Sequence, residues 1–346
     1  MINLEKEIRE QPSVLAGIKK SNITTITSLI EKIKEKNITN VYFVARGTSD
    51  HACIYAQYLY GAVLGMQCTL GTPSIFTQYN GNIKFSNTLV IGVSQSGRAE
   101  DVNAVLLSAK EQGMITVSIT NNPKSLLAKT AEYHLYCNAG EEKSIAATKT
   151  FTAQMYLLAL LCAEWSQDKD LQSSLDNISG QMEDALSYLP DQVEAISKTL
   201  LDYKEGVVLG RGMSYPIALE GALKILETNK MKMKGYPISD FYHGPVAQLH
   251  NNDLAFVFAQ DGAVIQDAKK MVDKLSGINA NTVLITDKAE FFDNVSNVIK
   301  VNSTNNEFTM PFILALVMQI FALKLVLLKG IDPDKSDVIA KITVTK

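Results

Sequence analysis

Ile91-Gly92-Val93-Ser94-Gln95-Ser96-Gly97-Arg98-Ala99-Glu100-Asp101 joins an apolar run that begins at Thr88 to a helical pattern over Glu100–Lys110. The run Thr88–Val93 reads as a strand that stops at a turn rich in serine and glycine, and the turn feeds a helix N-terminus. Such a junction is a ready anion site. Free backbone N–H groups, the positive end of the helix dipole and the hydroxyls of Ser94 and Ser96 can converge on one phosphate. Serine and glycine are equally at home in an ordinary βα helix cap, so the stretch alone fits either reading.

Outward from this stretch the chain repeats itself. Tyr42–Phe76 and Val207–Phe241 align without a gap at a spacing of 165 residues. Arg46-Gly47-Thr48-Ser49 falls on Arg211-Gly212-Met213-Ser214, and Ser74-Ile75-Phe76 on Ser239-Asp240-Phe241. The same spacing sets Asn87-Thr88-Leu89 on Asn252-Asp253-Leu254, and Gln95-Ser96-Gly97 on Gln260-Asp261-Gly262. One offset held from Tyr42 to Gly97 indicates two copies of one α/β unit. Strands are expected at Val41–Ala45, Leu89–Val93 and Thr116–Thr120, then at Gly206–Gly210, Leu254–Ala259 and Asn281–Thr286. They are short, almost wholly apolar and separated by helical stretches, the pattern of a parallel sheet covered on both faces. Ligands bind such sheets at the carboxyl ends of the strands, where the Gly-Ser turns lie. The copies differ there: Ser94 and Ser96 become Ala259 and Asp261, and a carboxylate repels a phosphate. An anion site is expected in the first copy only.

The expected architecture is therefore α/β, two tandem domains, each a parallel sheet flanked by helices in three αβα layers. An N-terminal helical segment (1–36, helical over Ile18–Lys36) precedes a first domain over 37–166. Linking helices follow at 167–199, where Leu171, Leu175, Ile178, Met182, Leu186 and Leu189 form one apolar stripe. The second domain spans 200–330, and a C-terminal tail, 331–346, carries Lys341 between apolar neighbours.

With 346 residues, 46% of them hydrophobic, the chain can bury two cores. A net charge of −3 leaves no basic face for nucleic acid. Cys53, Cys68, Cys137 and Cys162 form no C-x-x-C pair and read as reduced core residues of a cytoplasmic protein. His51, His134, His243 and His250 lack metal-ligand spacing, so neither metal nor cofactor is expected. The N-terminus is charged and has no signal-peptide core. Pro311–Leu328 is about as long as a membrane span, but Gln319 and Lys324 interrupt it and it stands where Phe151–Glu164 stands in the first copy. A buried domain helix, and no membrane, is the expectation.

Three places could carry chemistry. Glu220, Lys224 and Glu227 fall within about 60° of one another on an otherwise apolar helix. Such a stripe is a solvated edge with i,i+4 pairing or the wall of a site. His243-Gly244-Pro245 follows a polar loop, a setting for a general acid or base or for a histidine bonded to a backbone carbonyl. Lys341 in an apolar tail is either solvated or docked as a desolvated amine suited to imine formation.

Taken as an ordered set, the motifs resemble those of the sugar isomerase (SIS) superfamily, and within it the isomerase half of glucosamine-6-phosphate synthases. The set is Glu5-Lys6-Glu7-Ile8-x-x-Gln11-Pro12, Arg46-Gly47-Thr48-Ser49, Ser94-Gln95-Ser96-Gly97, Ala147-Thr148-Lys149-Thr150-Phe151-Thr152, Leu219-Glu220-Gly221-Ala222-Leu223-Lys224, His243-Gly244-Pro245 and Ala340-Lys341. The resemblance implies that Gly47, Thr48, Ser49, Ser94, Gln95 and Ser96 hold the 6-phosphate of a hexose. It implies that Ala147 and Ala340 lie at the sugar, that His243 opens the ring in a neighbouring protomer's site, and hence a homodimer. Glu227 would carry the proton between C1 and C2, Lys224 would polarise the open-chain oxygens, and Lys341 would meet the ketose carbonyl.

The chain departs from that pattern at four positions. Arg46 replaces a cysteine, Arg98 an acidic residue, Ala99 a phosphate-binding hydroxyl and Ala147 a serine; Arg46 and Arg98 become candidates for specificity. Loss of one hydroxyl donor costs about 1 kcal/mol of binding. The chain is also expected to work without a glutaminase domain. Deamination of glucosamine 6-phosphate to fructose 6-phosphate and ammonia is the first expectation. A deglycase acting on fructosamine 6-phosphates is the second, and a non-catalytic sugar-phosphate sensor a third.

Overall fold

A computed structural model describes residues 2–293 and 295–335 of the chain. Ten parallel strands make two five-stranded sheets. The first contains β1 (Asn40–Val44), β2 (Gln67–Leu70), β3 (Thr88–Val93), β4 (Ile115–Thr120) and β5 (Tyr133–Tyr136) in the order β2-β1-β3-β4-β5. The second contains β6 (Glu205–Gly210), β7 (Lys232–Pro237), β8 (Leu254–Phe258), β9 (Asn281–Thr286) and β10 (Asn297–Lys300) in the order β7-β6-β8-β9-β10. The helices are α1 (Asn3–Glu35), α2 (Thr48–Leu64), α3 (Ser74–Thr77), α4 (Glu100–Glu111), α5 (Leu126–Thr130), α6 (Lys149–Ser166), α7 (Lys169–Ser197), α8 (Tyr215–Asn229), α9 (Ile238–Phe241), α10 (Ile265–Gly277) and α11 (Met310–Leu328).

The two sheets share one topology, and the backbone repeats with them. Gly47 and Gly212 sit at φ 56° and 57°, and Asn87 and Asn252 at 45° and 67°, each pair 165 residues apart. The sequence pattern revealed the three inner strands of each sheet and missed the outer two. β3 and β4 are buried along their whole length and so read as apolar runs. β2 alternates exposed and half-buried residues over only four positions, which leaves no such run.

Among the described residues the chain forms two compact units. One holds 13–142 and 149–176, with the first sheet; the other holds 2–12, 143–148 and 177–335, with the second. In the first, α2 packs on the buried α6, and the Tyr60 hydroxyl donates to the Leu158 carbonyl at 3.1 Å. In the second, α8 packs on α11, and a side chain at Gly221 would run into Met318. The apolar α11 is a core helix, as its two polar interruptions indicated. Gln319 accepts from Gln11 Nε2 at 2.8 Å, and Lys324 pairs with Glu194 at 2.8 Å.

The first helix is longer than expected. It starts at Asn3 rather than Ile18 and runs through Pro12. Pro12 cannot donate to the Ile8 carbonyl, but the Gln11 side-chain amide does so at 2.9 Å. Distant Asp334 accepts from the amides of Asn3 and Leu4, at 2.6 and 3.1 Å. No local pattern shows either compensation. Downstream, α7 is a single helix whose stripe Leu171, Leu175, Ile178, Met182 and Leu189 is buried. Of the cysteines, Cys53, Cys137 and Cys162 are buried and free; Cys68 is free but only half-buried, on the outer strand β2.

Candidate functional site

In the first sheet β1 and β3 are neighbours, with Val44 opposite Gly92. Their following connections leave in opposite directions, β1 towards β2 and β3 towards β4, so the crevice at their carboxyl ends is a topological switch point. Two turns open into that edge. Gly47, in a left-handed conformation, starts α2, placing Thr48 and the nearly buried Ser49 in its first turn. After β3, the Gly97 amide donates to Ser94 Oγ at 3.2 Å and the Arg98 amide to Ser96 Oγ at 3.3 Å. The turn's carbonyls are tied behind it: Gln95 O accepts from Asn121 N, and Gly97 O from Leu127 N. The backbone amides of Gln95 and Ser96 take no partner among the described residues, and Ala99 caps α4 without a side-chain bond. Gly97 must be glycine, because at φ 64° a Cβ would strike Ser125 Oγ. The outcome is a set of amides and hydroxyls ahead of a helix N-terminus, suited to an anion.

Asp101, missed in the sequence, shapes the rim of this turn. It is 1% exposed; one oxygen accepts from Val102 N at 2.9 Å and the other from Arg46 Nε at 2.8 Å. The exposed Arg46 therefore carries a compensated charge, whereas Arg98 is exposed on the turn itself.

The equivalent turn of the second sheet is filled from within. Asp261 N donates to Asp287 Oδ1 at 2.8 Å, Gly262 N to Asp261 Oδ1 at 3.0 Å and Ala263 N to Glu307 Oε2 at 3.0 Å. Lys288 Nζ lies 3.4 Å from Asp261. A cavity of about 440 Å³ beside it is lined by these acids, Lys288 and Thr304. The amides that an anion would need already have carboxylate partners.

The second unit instead carries a buried charge cluster on α8, which begins with Pro216 in its first turn and ends at Lys230, φ 52°. Lys224 Nζ lies 2.7 Å from Glu227 Oε2 and 3.3 Å from Glu220 Oε1. Lys224 and Glu220 are each 2% exposed and Glu227 18%, which removes the solvated-edge reading. Burial disfavours the ammonium, but Glu220 and Glu227 together outweigh it and hold the Lys224 pKa above its ordinary value. Lys224 is thus a fixed positive charge between two carboxylates rather than a proton shuttle. His243 follows α9 in the same unit, exposed, its amide donating to Asp240 O at 3.0 Å. Ala147, half-buried, lies in the segment 143–148 of that unit. Ala340 and Lys341 lie outside the described residues.

The structure thus groups Arg46–Ser49 with Ser94–Arg98 in one unit, and Ala147, Glu220, Lys224, Glu227 and His243 in the other. Glu142 carried no sequence signal; it is 5% exposed and caps α6 by accepting from Thr150 N at 3.1 Å and Thr150 Oγ1 at 2.7 Å. Its offset partner is Glu307, a carboxylate that meets a backbone amide of its own sheet's turn. Among the described residues no group of three or more His, Cys, Asp or Glu side chains is arranged to hold a metal.

Two five-stranded parallel sheets of one topology, each flanked by helices, define a tandem-repeat α/β protein. The SIS domain profile matches residues 32–163 and 199–329, and the chain belongs to the SIS domain family. It is 30% identical over 346 residues to the glutamine–fructose-6-phosphate aminotransferase (isomerizing) of Thermococcus kodakarensis, covering 97% of this chain and 57% of that one. The enzyme of the same name from Escherichia coli is 28% identical, covering 98% and 58%. The chain thus spans under three-fifths of the length of the curated relatives it matches. Among solved structures, the C-terminal domain of glucosamine-fructose-6-phosphate aminotransferase from Francisella tularensis superposes with TM-score 0.85 at 26% identity, covering 95% of this chain and 96% of that one. A glucosamine-6-phosphate deaminase from Thermotoga maritima shares the fold, with TM-score 0.80 at 20% identity over 99% of this chain and all of that one.

Proposed function

We propose that this protein is a phosphosugar isomerase of the aldose–ketose type that deaminates glucosamine 6-phosphate, with water, to fructose 6-phosphate and ammonia. The observation that carries this reading is the Glu220–Lys224–Glu227 cluster, two buried charges and the partly exposed Glu227 on an otherwise apolar helix, since buried ionisable groups are costly and concentrate at functional sites. In this reading the turn Ser94–Ser96 with Gly47, Thr48 and Ser49 takes the 6-phosphate. Arg98 stands on that turn where Ala99 lacks a hydroxyl. His243 protonates the ring oxygen as the sugar opens, and it does so in the partner protomer of a homodimer. Glu227 removes the proton at C2 and returns it to C1, converting the open-chain amino aldose to a ketose imine. The Lys224 ammonium stabilises the negative charge on the sugar oxygens along that path, and its raised pKa keeps it charged throughout. The Lys341 amine adds to the ketimine carbon C2 and expels ammonia, and water then hydrolyses the resulting Schiff base to fructose 6-phosphate and the free Lys341 amine. Ala147 and Ala340 lie alongside the sugar.

The test is a coupled assay with glucosamine 6-phosphate that follows ammonia and fructose 6-phosphate together. Glu227→Gln, which keeps shape but loses the base, is expected to lower kcat by about 10²- to 10⁴-fold. Ammonia release indifferent to that substitution would sink the assignment of the base. Absence of turnover with the sugar phosphate still bound would transfer the reading to fructosamine 6-phosphates, with Arg46 and Arg98 facing the amine substituent. Mixing inactive Glu227→Gln with inactive His243→Ala is expected to restore activity if the site is shared, because each mixed dimer then holds one intact site.

A further inference from the structure

The motif Glu5-Lys6-Glu7-Ile8-x-x-Gln11-Pro12 has no place in the chemistry above, yet two of its polar members, Glu7 and Gln11, are buried at the start of α1. Glu7 is 3% exposed and Gln11 fully buried. A buried carboxylate is costly unless donors fill its lone pairs, and here the donors all come from one remote segment. Glu7 accepts from the Lys143 amide at 2.5 Å, from the Ser144 amide at 3.2 Å and from the Ser144 hydroxyl. Gln11 is bonded to Gln319 of α11, and the amides of Asn3 and Leu4 to Asp334. The first turns of α1 therefore hold three distant stretches of the same unit. Two of these run directly into residues placed at the sugar: 143–144 precedes Ala147, and Asp334 precedes Ala340 and Lys341.

We propose that Glu7 is a positioning residue for the sugar end of the site, fixing the segment 143–148 so that Ala147 presents a set surface to the open-chain sugar. The inference rests on the functional reading for the place of Ala147, and on the hydrogen bonds alone for the hold on the segment. The donors to Glu7 lie at Lys143 and Ser144, and the phosphate turn belongs to the other unit, so in this proposal its loss acts on the sugar contacts and leaves the phosphate handle as it is. A single amide oxygen in Glu7→Gln accepts fewer bonds than the carboxylate, which makes that variant intermediate between wild type and Glu7→Ala.

The experiment uses the full chain with Glu7→Gln, Glu7→Ala and, as a control on the exposed face of the same helix, Arg9→Ala. Titration calorimetry compares fructose 6-phosphate with inorganic phosphate, and amide hydrogen exchange follows residues 143–148. In Glu7→Ala the expected result is fructose 6-phosphate binding weakened about tenfold, phosphate binding within about twofold, and faster exchange at Lys143 and Ser144. Glu7→Gln lies between, and it carries the test alone if Glu7→Ala does not fold. Equal weakening of both ligands marks a merely structural residue and overturns the proposal, as does unchanged exchange or unchanged fructose 6-phosphate binding. Turnover by the wild type is scored separately. A wild type that binds fructose 6-phosphate but releases no ammonia sinks the deaminase reading and leaves the role of Glu7 to the binding split.

Discussion

The two repeats share strand order, turn positions and even left-handed glycines, but their chemistry has been divided. The turn after β3 leaves amides and serine hydroxyls for an anion, while the turn after β8 has met its own amides with Asp261, Asp287 and Glu307. The helices that follow the first strands show the reverse. Glu220, Lys224 and Glu227 on α8 correspond at the offset of 165 residues to Tyr55, Leu59 and Ala62 on α2, of which Tyr55 and Leu59 are ordinary core. Duplication supplied two scaffolds, and each kept one half of the equipment. A turn can carry an anion site or an internal carboxylate but not both, since a negative side chain on the amides excludes a second negative group.

The strongest way to break this contrast is to write the second turn into the first. Ser96→Asp places a carboxylate about 4 Å from a bound phosphate, a repulsion of about 4 kcal/mol per unit charge at an effective dielectric of 20. Fructose 6-phosphate binding is expected to fall by roughly a thousandfold in calorimetry, and near-normal affinity would show that the turn is not the phosphate site. On the other repeat, Lys224→Met leaves Glu220 and Glu227 buried without their cation, and a loss of about 3–5 kcal/mol is expected in urea unfolding. A loss below 1 kcal/mol would mean that the cluster is hydrated and the charges independent.

A gentler change opens the closed turn. Asp261→Ser with Glu307→Ala frees the amides of Gly262 and Ala263, and a second phosphate site with Kd on the order of 1 mM is expected by calorimetry. No additional site would show that the second turn has lost the cradle's shape as well as its vacancy. The smallest effect separates the last helices of the repeats. Lys324 of α11 pairs with Glu194, which also meets Lys198, and these partners pull the Glu194 pKa from 4.5 down to about 2. The stabilisation is therefore complete above pH 4.5 and lost as pH falls towards 2. Glu194→Gln is expected to lower the urea midpoint slightly above pH 5 and not at all near pH 2. A difference that grows on acidification would contradict the pairing.

Much of this was legible in the chain because it rests on local pattern. The inner strands are apolar runs, the serine turn is contiguous, and the 165-residue offset is visible as identities. The outer strands β2, β5, β7 and β10 escaped notice because a partly exposed edge strand has no apolar run to betray it: three have only four residues, and the six of β7 include Lys232, Lys234, Gly235 and Pro237. The α8 stripe was readable as geometry but not as burial: helical spacing places three charges on one face, and only the packing of α8 in the fold decides whether that face meets water. For Arg46 the charge was evident and its neutralisation by Asp101, 55 positions away, was not.

By itself, then, the sequence determined the α/β class, the duplication, the serine turn and the short roster of residues able to bind or move protons, since each depends on periodicity or on neighbours in the chain. Tertiary structure alone decided that Glu220 and Lys224 are buried together, that Glu307 and Asp287 close the second turn, and that Glu7 and Asp334 tie the start of α1 to remote segments. The contacts of Glu307, Asp287, Glu7 and Asp334 join positions separated by tens to hundreds of residues. Their energies come from desolvation and from donors that folding brings within 3 Å, and no local sequence pattern encodes which donor will arrive.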